Sequence, residues 1–292
     1  MASIKEIKNH IASVQDTRKI TNAMYLISST KLRKAKEELD KTRPYFSALR
    51  GEVKRIFRSV EGTESPYLES PGDESKDGRH GLLVITADKG LAGAYNHNAL
   101  KSAEAFMKLH PGTRLFVVGE FGRQYFRRKN VEIEPGFDFS AQNPTIDRAR
   151  MIGHCLLRLY DRGELQRIYI VYTDMKGMSV DSRTTRLLPL HKDNFSAPSF
   201  EKEVSEPFEF IPSPEAILEN VIHSYISGFI YSALVDSYCC ELNERMRAMD
   251  SATRNADSIV DELKIQYNRQ RQSAITSEIT EVSAGAKAQK HK

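Results

Sequence analysis

The chain has 292 residues, of which 40% are hydrophobic and 28% charged, and its formal net charge at pH 7 is +4. This length allows one or two domains with a buried core, and so mild a charge does not indicate a nucleic-acid partner by itself. The charge is uneven, because residues 1–60 carry 14 Lys and Arg against 6 Asp and Glu, whereas residues 241–292 carry 9 against 8. The cationic excess of the N-terminal segment predicts an acidic or anionic partner.

The cysteines and the apolar runs of the sequence indicate the cellular compartment of the protein. The three cysteines, Cys155, Cys239 and Cys240, form neither a C-x-x-C motif nor an even framework, which favours a reducing, cytosolic compartment. The first residues contain no long apolar core, so no signal peptide is expected. No apolar run approaches the ~18 residues that a membrane-spanning helix needs, so no direct membrane span is expected.

Residues 1–60 have the pattern of a long helix. Ser3 and Glu6 have the spacing of a capping box, and Pro44 is expected to kink or interrupt the helix before it continues to Val60. Side chains at heptad spacing form a stripe that is apolar at both ends and polar in the middle. Its members are Ile4, Ile7, Ile11, Val14, Arg18, Thr21, Tyr25, Ser28, Leu32, Ala35 and Leu39.

The middle of the chain changes to the pattern of an α/β domain. Short apolar runs alternate with helical patterns over residues 81–190, which predicts a largely parallel sheet in a Rossmann-like domain. The runs at Leu82–Ile85, Leu115–Gly119 and Ile168–Tyr172 predict buried strands. Val131–Ile133 predicts a weaker strand, and Thr184–Leu190 an edge strand. The flanking segments 61–80 and 191–214 are rich in turn-forming residues and predict a linker and a loop.

Residues 215–285 predict a second long helix, followed by a basic tail over 286–292. Its stripe alternates in steps of four and three, the spacing of a left-handed coiled coil. Its members are Leu242, Met246, Met249, Thr253, Ala256, Val260, Leu263, Tyr267, Gln270 and Ala274. Burying both stripes predicts that the two terminal helices pair as an antiparallel coiled coil. The apolar start of the first helix should then pack near Val260 and Leu263.

The chemistry of a catalytic or metal site is not evident in the sequence. Gly90-x-x-Gly93 follows a predicted strand, but it matches neither G-x-G-x-x-G nor a phosphate-binding P-loop, so a tight structural turn is the favoured interpretation. The eight histidines are scattered without the spacing of metal ligands. No Ser, Cys or carboxylate group forms a recognisable triad. We therefore expect no catalysis by this chain alone, no metal and no cofactor.

Several blocks of sequence are specific enough to compare with known families. The first is Ile20-Thr21-Asn22-Ala23-Met24 with Ser28-Ser29-Thr30-Lys31-Leu32-Arg33, and the second is Thr86-Ala87-Asp88-Lys89-Gly90-Leu91-Ala92-Gly93. The most specific is Glu244-Arg245-Met246-Arg247-Ala248-Met249, followed by Ala252-Thr253-x-Asn255-Ala256 and Tyr267-Asn268-x-x-Arg271-Gln272-x-Ala274-Ile275-Thr276. These blocks resemble the gamma subunit family of the rotary, F-type ATP synthases, bacterial type. They occur in the family's order and cover essentially the whole chain.

The resemblance implies a rotor subunit of the central stalk, with two long helices in an antiparallel coil and a Rossmann-like base. The coil would turn inside a ring of alpha and beta subunits, the base would contact the epsilon subunit and the membrane ring of c subunits, and catalysis would reside in beta. It also implies a part in regulating ATPase activity. The location implied is peripheral, on the cytoplasmic face of a bacterial cell membrane.

The resemblance also implies particular contacts with the beta subunits. Arg271, Gln272 and Thr276 would meet a loop of one beta subunit. Met24, Arg33 and Arg245 would face beta elsewhere. Two other functions remain open at this point: a dinucleotide-binding enzyme with helical arms, and a coiled-coil scaffold. The first needs a nucleotide bound in the middle domain, and the second needs the helices to pair between chains.

Overall fold

A computed structural model of the protein describes residues 3–59, 66–69, 79–176, 179–190 and 214–290. Most of the predicted linker at 61–80 and nearly all of the predicted loop at 191–214 lie outside the described residues. The helices are α1 (Ile4–Ser59), α2 (Tyr95–Leu109), α3 (Glu120–Arg128), α4 (Ile146–Asp161) and α5 (Pro214–Lys290). The strands are β1 (His80–Ile85), β2 (Arg114–Val118), β3 (Arg167–Lys176) and β4 (Ser179–Leu188).

The four strands form one mixed sheet in the order β2-β1-β3-β4. β1 pairs in parallel with β2 and with β3, and β3 pairs antiparallel with β4. β1 lies between two neighbours and is buried along its whole length, which explains its continuous apolar sequence. Long terminal helices with this sheet between them in the chain confirm the predicted fold class.

Helices cover both faces of the sheet. α2 packs on one face, where Ala99, Leu100 and Ala103 contact the alternate β1 residues Leu82 and Val84 in one apolar cluster. The other face packs on α4 and on the first part of α5 in a larger cluster. That cluster includes Leu83, Ile85, Phe116, Ile152, Leu156, Ile226, Ile230 and Leu234. The alternation along β1 follows from the period of two that places successive side chains on opposite faces.

The long helix α1 begins and continues for local reasons. The predicted capping box is confirmed, since the Ser3 N–H donates to Glu6 Oε2 (2.7 Å) and the Glu6 N–H donates to Ser3 Oγ (3.2 Å). Of the two outcomes expected at Pro44, the interruption is wrong, because α1 continues through this proline to Ser59, and the kink stays a prediction. The side chain of Phe46, two residues later, packs against the apolar core, and such packing offsets the hydrogen bond that a proline removes.

Two of the strands predicted from the sequence have different outcomes. The edge strand predicted at Thr184–Leu190 is confirmed as β4, which begins earlier, at Ser179. The strand predicted at Val131–Ile133 is wrong, since these residues adopt no regular structure. Only a single backbone bond, from the Glu134 N–H to Leu115 O (2.8 Å), links this segment to β2. Pro135 then removes a donor and Gly136 turns the chain with φ +75°.

The chain divides into two compact units. One consists of Met1–Ser29 with Arg245–Lys292, and the other of Thr30–Glu244. The first unit contains the start of α1 and the last part of α5. The second contains the sheet with α2, α3 and α4, together with the remaining parts of α1 and α5. The boundaries that the sequence suggested, at 60, 80, 190, 214 and 285, stay a prediction.

Candidate partner-binding surface

In the first unit, α1 and α5 are joined by two polar contacts that fix their direction and register. The hydroxyl oxygens of Thr21 and Thr253 lie 2.8 Å apart, and Arg18 Nε lies 2.5 Å from Asp257 Oδ1. The residue number falls along α1 as it rises along α5, so the two segments are antiparallel. Extending this register places Val14 level with Val260 and Ile11 level with Leu263, the pairing that the sequence predicted.

The seam of this helix pair is narrow and partly polar. Thr21 is 8% exposed, its hydroxyl lies 3.0 Å from Arg18 O, and the Thr253 hydroxyl lies 2.8 Å from Met249 O. Each hydroxyl has one proton, so one threonine donates to the carbonyl of its own helix while the other donates across the pair. These local bonds satisfy the polar groups without a large side chain, and the helices can approach closely.

Helix α5 is exposed at three of the positions where the sequence predicted beta contacts. Arg271, Gln272 and Thr276 are all exposed on α5, and the Thr276 hydroxyl donates to Gln272 O (2.9 Å). Within the described part of the chain Arg271 makes no ion pair or hydrogen bond. Its guanidinium keeps its donors available for an acceptor on another protein.

The other three predicted contact residues lie in different surroundings. Met24 is half-buried, and its carbonyl accepts a hydrogen bond from Ser28 Oγ (2.8 Å). The Arg33 side chain is 78% exposed, with Nε 4.0 Å from Glu37 Oε1. Arg245 is only 9% exposed, so it offers little surface to another chain. The assignment of these residues to a partner interface stays a prediction.

Sequence inspection missed an apolar stripe at the end of α5. Ile275, Ile279 and Val282 are 45%, 64% and 73% exposed, at a spacing of four and then three residues that aligns them on one helix face. The register of the helix pair places Ile4, near the start of α1, level with Gln270. The stripe therefore lies beyond the paired part of α5. The signal was in the sequence, since apolar residues recur at the same four-three spacing past the predicted seam, displaced from it by one residue.

Asp88, in the glycine loop after β1, joins this loop to two other segments through hydrogen bonds. Its Oδ2 accepts hydrogen bonds from Ser140 Oγ (2.5 Å) and from the N–H groups of Ala141 (3.1 Å) and Gln142 (3.2 Å). Its Oδ1 accepts the N–H of Glu120 (3.0 Å), the first residue of α3. Burial alone would raise the pKa of Asp88, but these hydrogen bonds together lower it below its ordinary value.

These hydrogen bonds of Asp88 to Glu120, Ser140, Ala141 and Gln142, which we call the Asp88 clasp, argue against nucleotide binding. In a dinucleotide-binding fold the phosphate lies where the parallel strands end and the helices begin. Here the Asp88 carboxylate occupies the amino end of α3. A Cβ placed on Gly93, beside the start of α2, would lie 3.4 Å from Glu244 Oε2. Carboxylates of the chain itself thus lie where an anionic ligand would have to bind. In the described ranges no three metal-ligating side chains cluster.

Comparison with known proteins decides the family. The family model described as ATP synthase matches residues 3–289. The ATP synthase gamma chain of Caldanaerobacter subterraneus is 42% identical over 291 residues, covering 97% of this chain and 98% of the relative. That of Acetivibrio thermocellus is 40% identical over 296 residues, covering 99% and 100%. The chain belongs to the ATP synthase gamma chain family. The family predicted from the sequence blocks is thus confirmed.

Solved structures support the fold of this gamma-family chain. A chain of the Euglena gracilis mitochondrial ATP synthase has a TM-score of 0.67 and 14% identity, covering 98% of this chain and 94% of its own. A chain of the Tetrahymena thermophila mitochondrial ATP synthase central stalk and c-ring has a TM-score of 0.59 and 23% identity, covering 80% and 99%. Among the described helices, none has an apolar stretch long enough to cross a bilayer.

Proposed function

We propose that this chain is the rotor shaft of a bacterial F-type ATP synthase, which couples ion flow through a membrane ring to ATP synthesis or hydrolysis. The paired part of α1 and α5 turns inside a ring of three alpha and three beta subunits. Its contacts with beta differ at each angle, so the three catalytic sites pass through different affinities in turn. The observation that carries this proposal is an antiparallel helix pair with a narrow seam and an exposed, partly cationic outer face.

The remaining partners follow from the same proposal. The α/β part of the chain contacts the epsilon subunit and the ring of c subunits, at the cytoplasmic face of the cell membrane, and the chain also takes part in regulating ATPase activity. The catalytic groups belong to beta. The Asp88 clasp is consistent with a non-catalytic subunit, because the crevice that would hold a nucleotide is filled by the protein's own hydrogen bonds.

The exposed stripe of Ile275, Ile279 and Val282 supports a location inside a ring. Three large apolar side chains along one helix face are costly to expose to water, at about 25 cal/mol per Å². Such a patch marks a surface that another protein covers. An apolar collar of alpha and beta subunits would cover the stripe without fixing one orientation, because apolar contacts have no directional requirement.

The polar residues beside this stripe make the free energy of the contacts with beta depend on the angle of the shaft. A hydrogen bond to a charged group contributes about 1.5–3 kcal/mol. When it forms at only one angle of the shaft, it changes the population of that state about tenfold or more. Arg271 and Gln272 have exposed donors of this kind.

Replacing Arg271 and Gln272 together with Leu tests the proposal. In the assembled complex the double variant should lower both ATP synthesis and ATP hydrolysis about tenfold or more, while the subunit composition stays unchanged. The readouts are both rates in reconstituted vesicles and the subunit ratio of the purified complex.

The matched control replaces Gln266 and Arg269 with Leu. These two exposed residues carry the same chemistry on a different face of α5, so this variant should keep near-normal rates. Full activity in the Arg271 and Gln272 variant would show that their side chains are merely solvated. Equal losses in both variants would contradict a contact specific to one face.

A further inference from the structure

Two histidines face each other at the amino edge of the sheet, far in the sequence from the proposed beta contacts. His80 begins β1 and His110 follows the last residue of α2. Their ring centroids lie 4.6 Å apart with an interplanar angle of 47°. His80 is only 3% exposed, whereas His110 is half-buried. Phe106 and Tyr169 complete an aromatic cluster around them.

Each ring has one buried nitrogen that lacks a hydrogen-bond partner within the described residues. These atoms are His80 Nε2 and His110 Nδ1. Buried polar atoms of this kind are uncommon and call for an explanation. Two nitrogens without a third protein ligand make a poor metal site, and the described residues contain no cluster of three ligating groups. The relevant ligand is therefore the proton.

We propose that His80 and His110 form an acid-sensitive latch, which holds the end of α2 on the start of β1 while the rings are neutral and opens when both become cationic. Two imidazolium rings at this separation would place like charges, with little water between them, against aromatic walls. Separating the rings moves the end of α2, because His110 is the residue at which that helix ends.

The electrostatic surroundings disfavour charge on the buried ring. Burial lowers the pKa of His80 below its ordinary value, and the charges of His110 and of Arg167 on β3 lower it further. Tyr169, also on β3, faces both rings, and it interacts with Arg186 of β4. Among the described residues, the groups that shift the pKa of His80 include no carboxylate.

The sign of the effect follows from linkage. A histidine with a lowered pKa in the closed state binds protons better when the latch is open. The latch therefore has its full stability above a pH of about 6.5, the ordinary pKa of histidine, and loses it as the pH falls. Each histidine that gains a proton on opening lowers the equilibrium constant for closing the latch by up to about tenfold per pH unit.

Hydrogen exchange of backbone amides in the full-length protein between pH 7.5 and pH 5.5 tests the latch. After correction for the intrinsic exchange rate, protection in the last turn of α2 should fall by up to about tenfold per pH unit below about pH 6.5. The amide of His110, which donates to Phe106 O (3.0 Å), is the reporter. The His80→Phe variant keeps an aromatic ring but cannot charge, so its protection should depend much less on pH.

A matched variant and a direct titration complete the test. His97→Phe removes an exposed histidine near the other end of α2 and should keep the wild-type pH dependence. Ring-nitrogen NMR should show that His80 gains its proton at a lower pH than an ordinary histidine, because its pKa is lowered. His110→Gln should flatten the exchange profile if His80→Phe does not fold. A pH-independent wild-type profile, an unchanged slope in the His80 or His110 variants, or loss of the slope on adding EDTA would overturn the latch.

Discussion

At the scale of single residues, a few polar side chains join distant segments of the chain through hydrogen bonds. Asp88 is the clearest case, because one carboxylate accepts one hydroxyl and three backbone donors from two separate segments. It joins the end of β1 to the start of α3 and to residues 140–142. At the same scale, Thr21 and Thr253 set the register of the helix pair with one oxygen contact.

Replacing Asp88 with Asn should destabilise the α/β part of the chain by about 1–3 kcal/mol at pH 7, because an amide can accept at only one of its two ends and leaves a donor unpaired. The measurement is urea unfolding followed by tyrosine near-UV circular dichroism. Since the pKa of Asp88 is lowered in the folded state, its contribution is present above a pH of about 4 and is lost as the pH falls further. The difference in the free energy of unfolding between the Asp88→Asn variant and the parent protein should therefore become smaller at low pH.

The control for this substitution is Asp147→Asn. The Asp147 side chain is 79% exposed and pairs only with Arg150, so its loss should cost less than about 1 kcal/mol. A penalty for Asp88→Asn no larger than this control would show that the clasp contributes nothing beyond a surface charge.

At the scale of whole elements, helix α5 contains one feature that its sequence alone does not explain. Gly228 lies inside the helix, where glycine is unfavourable. A Cβ at this position would lie 2.5 Å from two ring carbons of Phe46 on α1. The aromatic ring thus packs directly on the backbone of α5, and the glycine is required by this close approach rather than by a turn.

Gly228→Ala should therefore destabilise the protein by about 1–3 kcal/mol through overpacking, although alanine ordinarily stabilises a helix by about 0.5–1 kcal/mol relative to glycine. Gly285→Ala is the matched control, because a Cβ placed there would meet no neighbouring atom within 4 Å, and it should be neutral or slightly stabilising. Both are measured by denaturant unfolding. Equal effects of the two substitutions would contradict the packing of Phe46 on Gly228.

The sequence predicted the paired helices more completely than it predicted the sheet and the contacts around it. The seam positions of α1 and α5 were predictable because a heptad stripe depends only on local spacing. The wrong strand at Val131–Ile133 had the right residue types but lacked a neighbouring strand to pair with, which local sequence does not reveal. The Asp88 clasp and the His80–His110 pair join residues separated by 30 or more positions. Such contacts arise only from the tertiary fold.

At the scale of the whole molecule, the rotor proposal requires that the chain turns relative to the catalytic ring. Exposure of Lys101 on α2 allows a single Lys101→Cys label in a Cys155→Ala background. The remaining thiols are buried, and burial raises the pKa of Cys239 to about 11 and that of Cys240 to about 12. They carry almost no reactive thiolate at neutral pH, so within this chain a bead attaches at position 101.

Direct observation of that bead, with the alpha and beta subunits fixed to a surface, is the most direct test of the rotor proposal. On addition of ATP the bead should turn in one direction, pausing about three times per revolution as each of the three catalytic sites takes its turn, and it should stop when ATP is removed. A complex that contains this chain and hydrolyses ATP at its normal rate while the bead stays still would contradict the proposal.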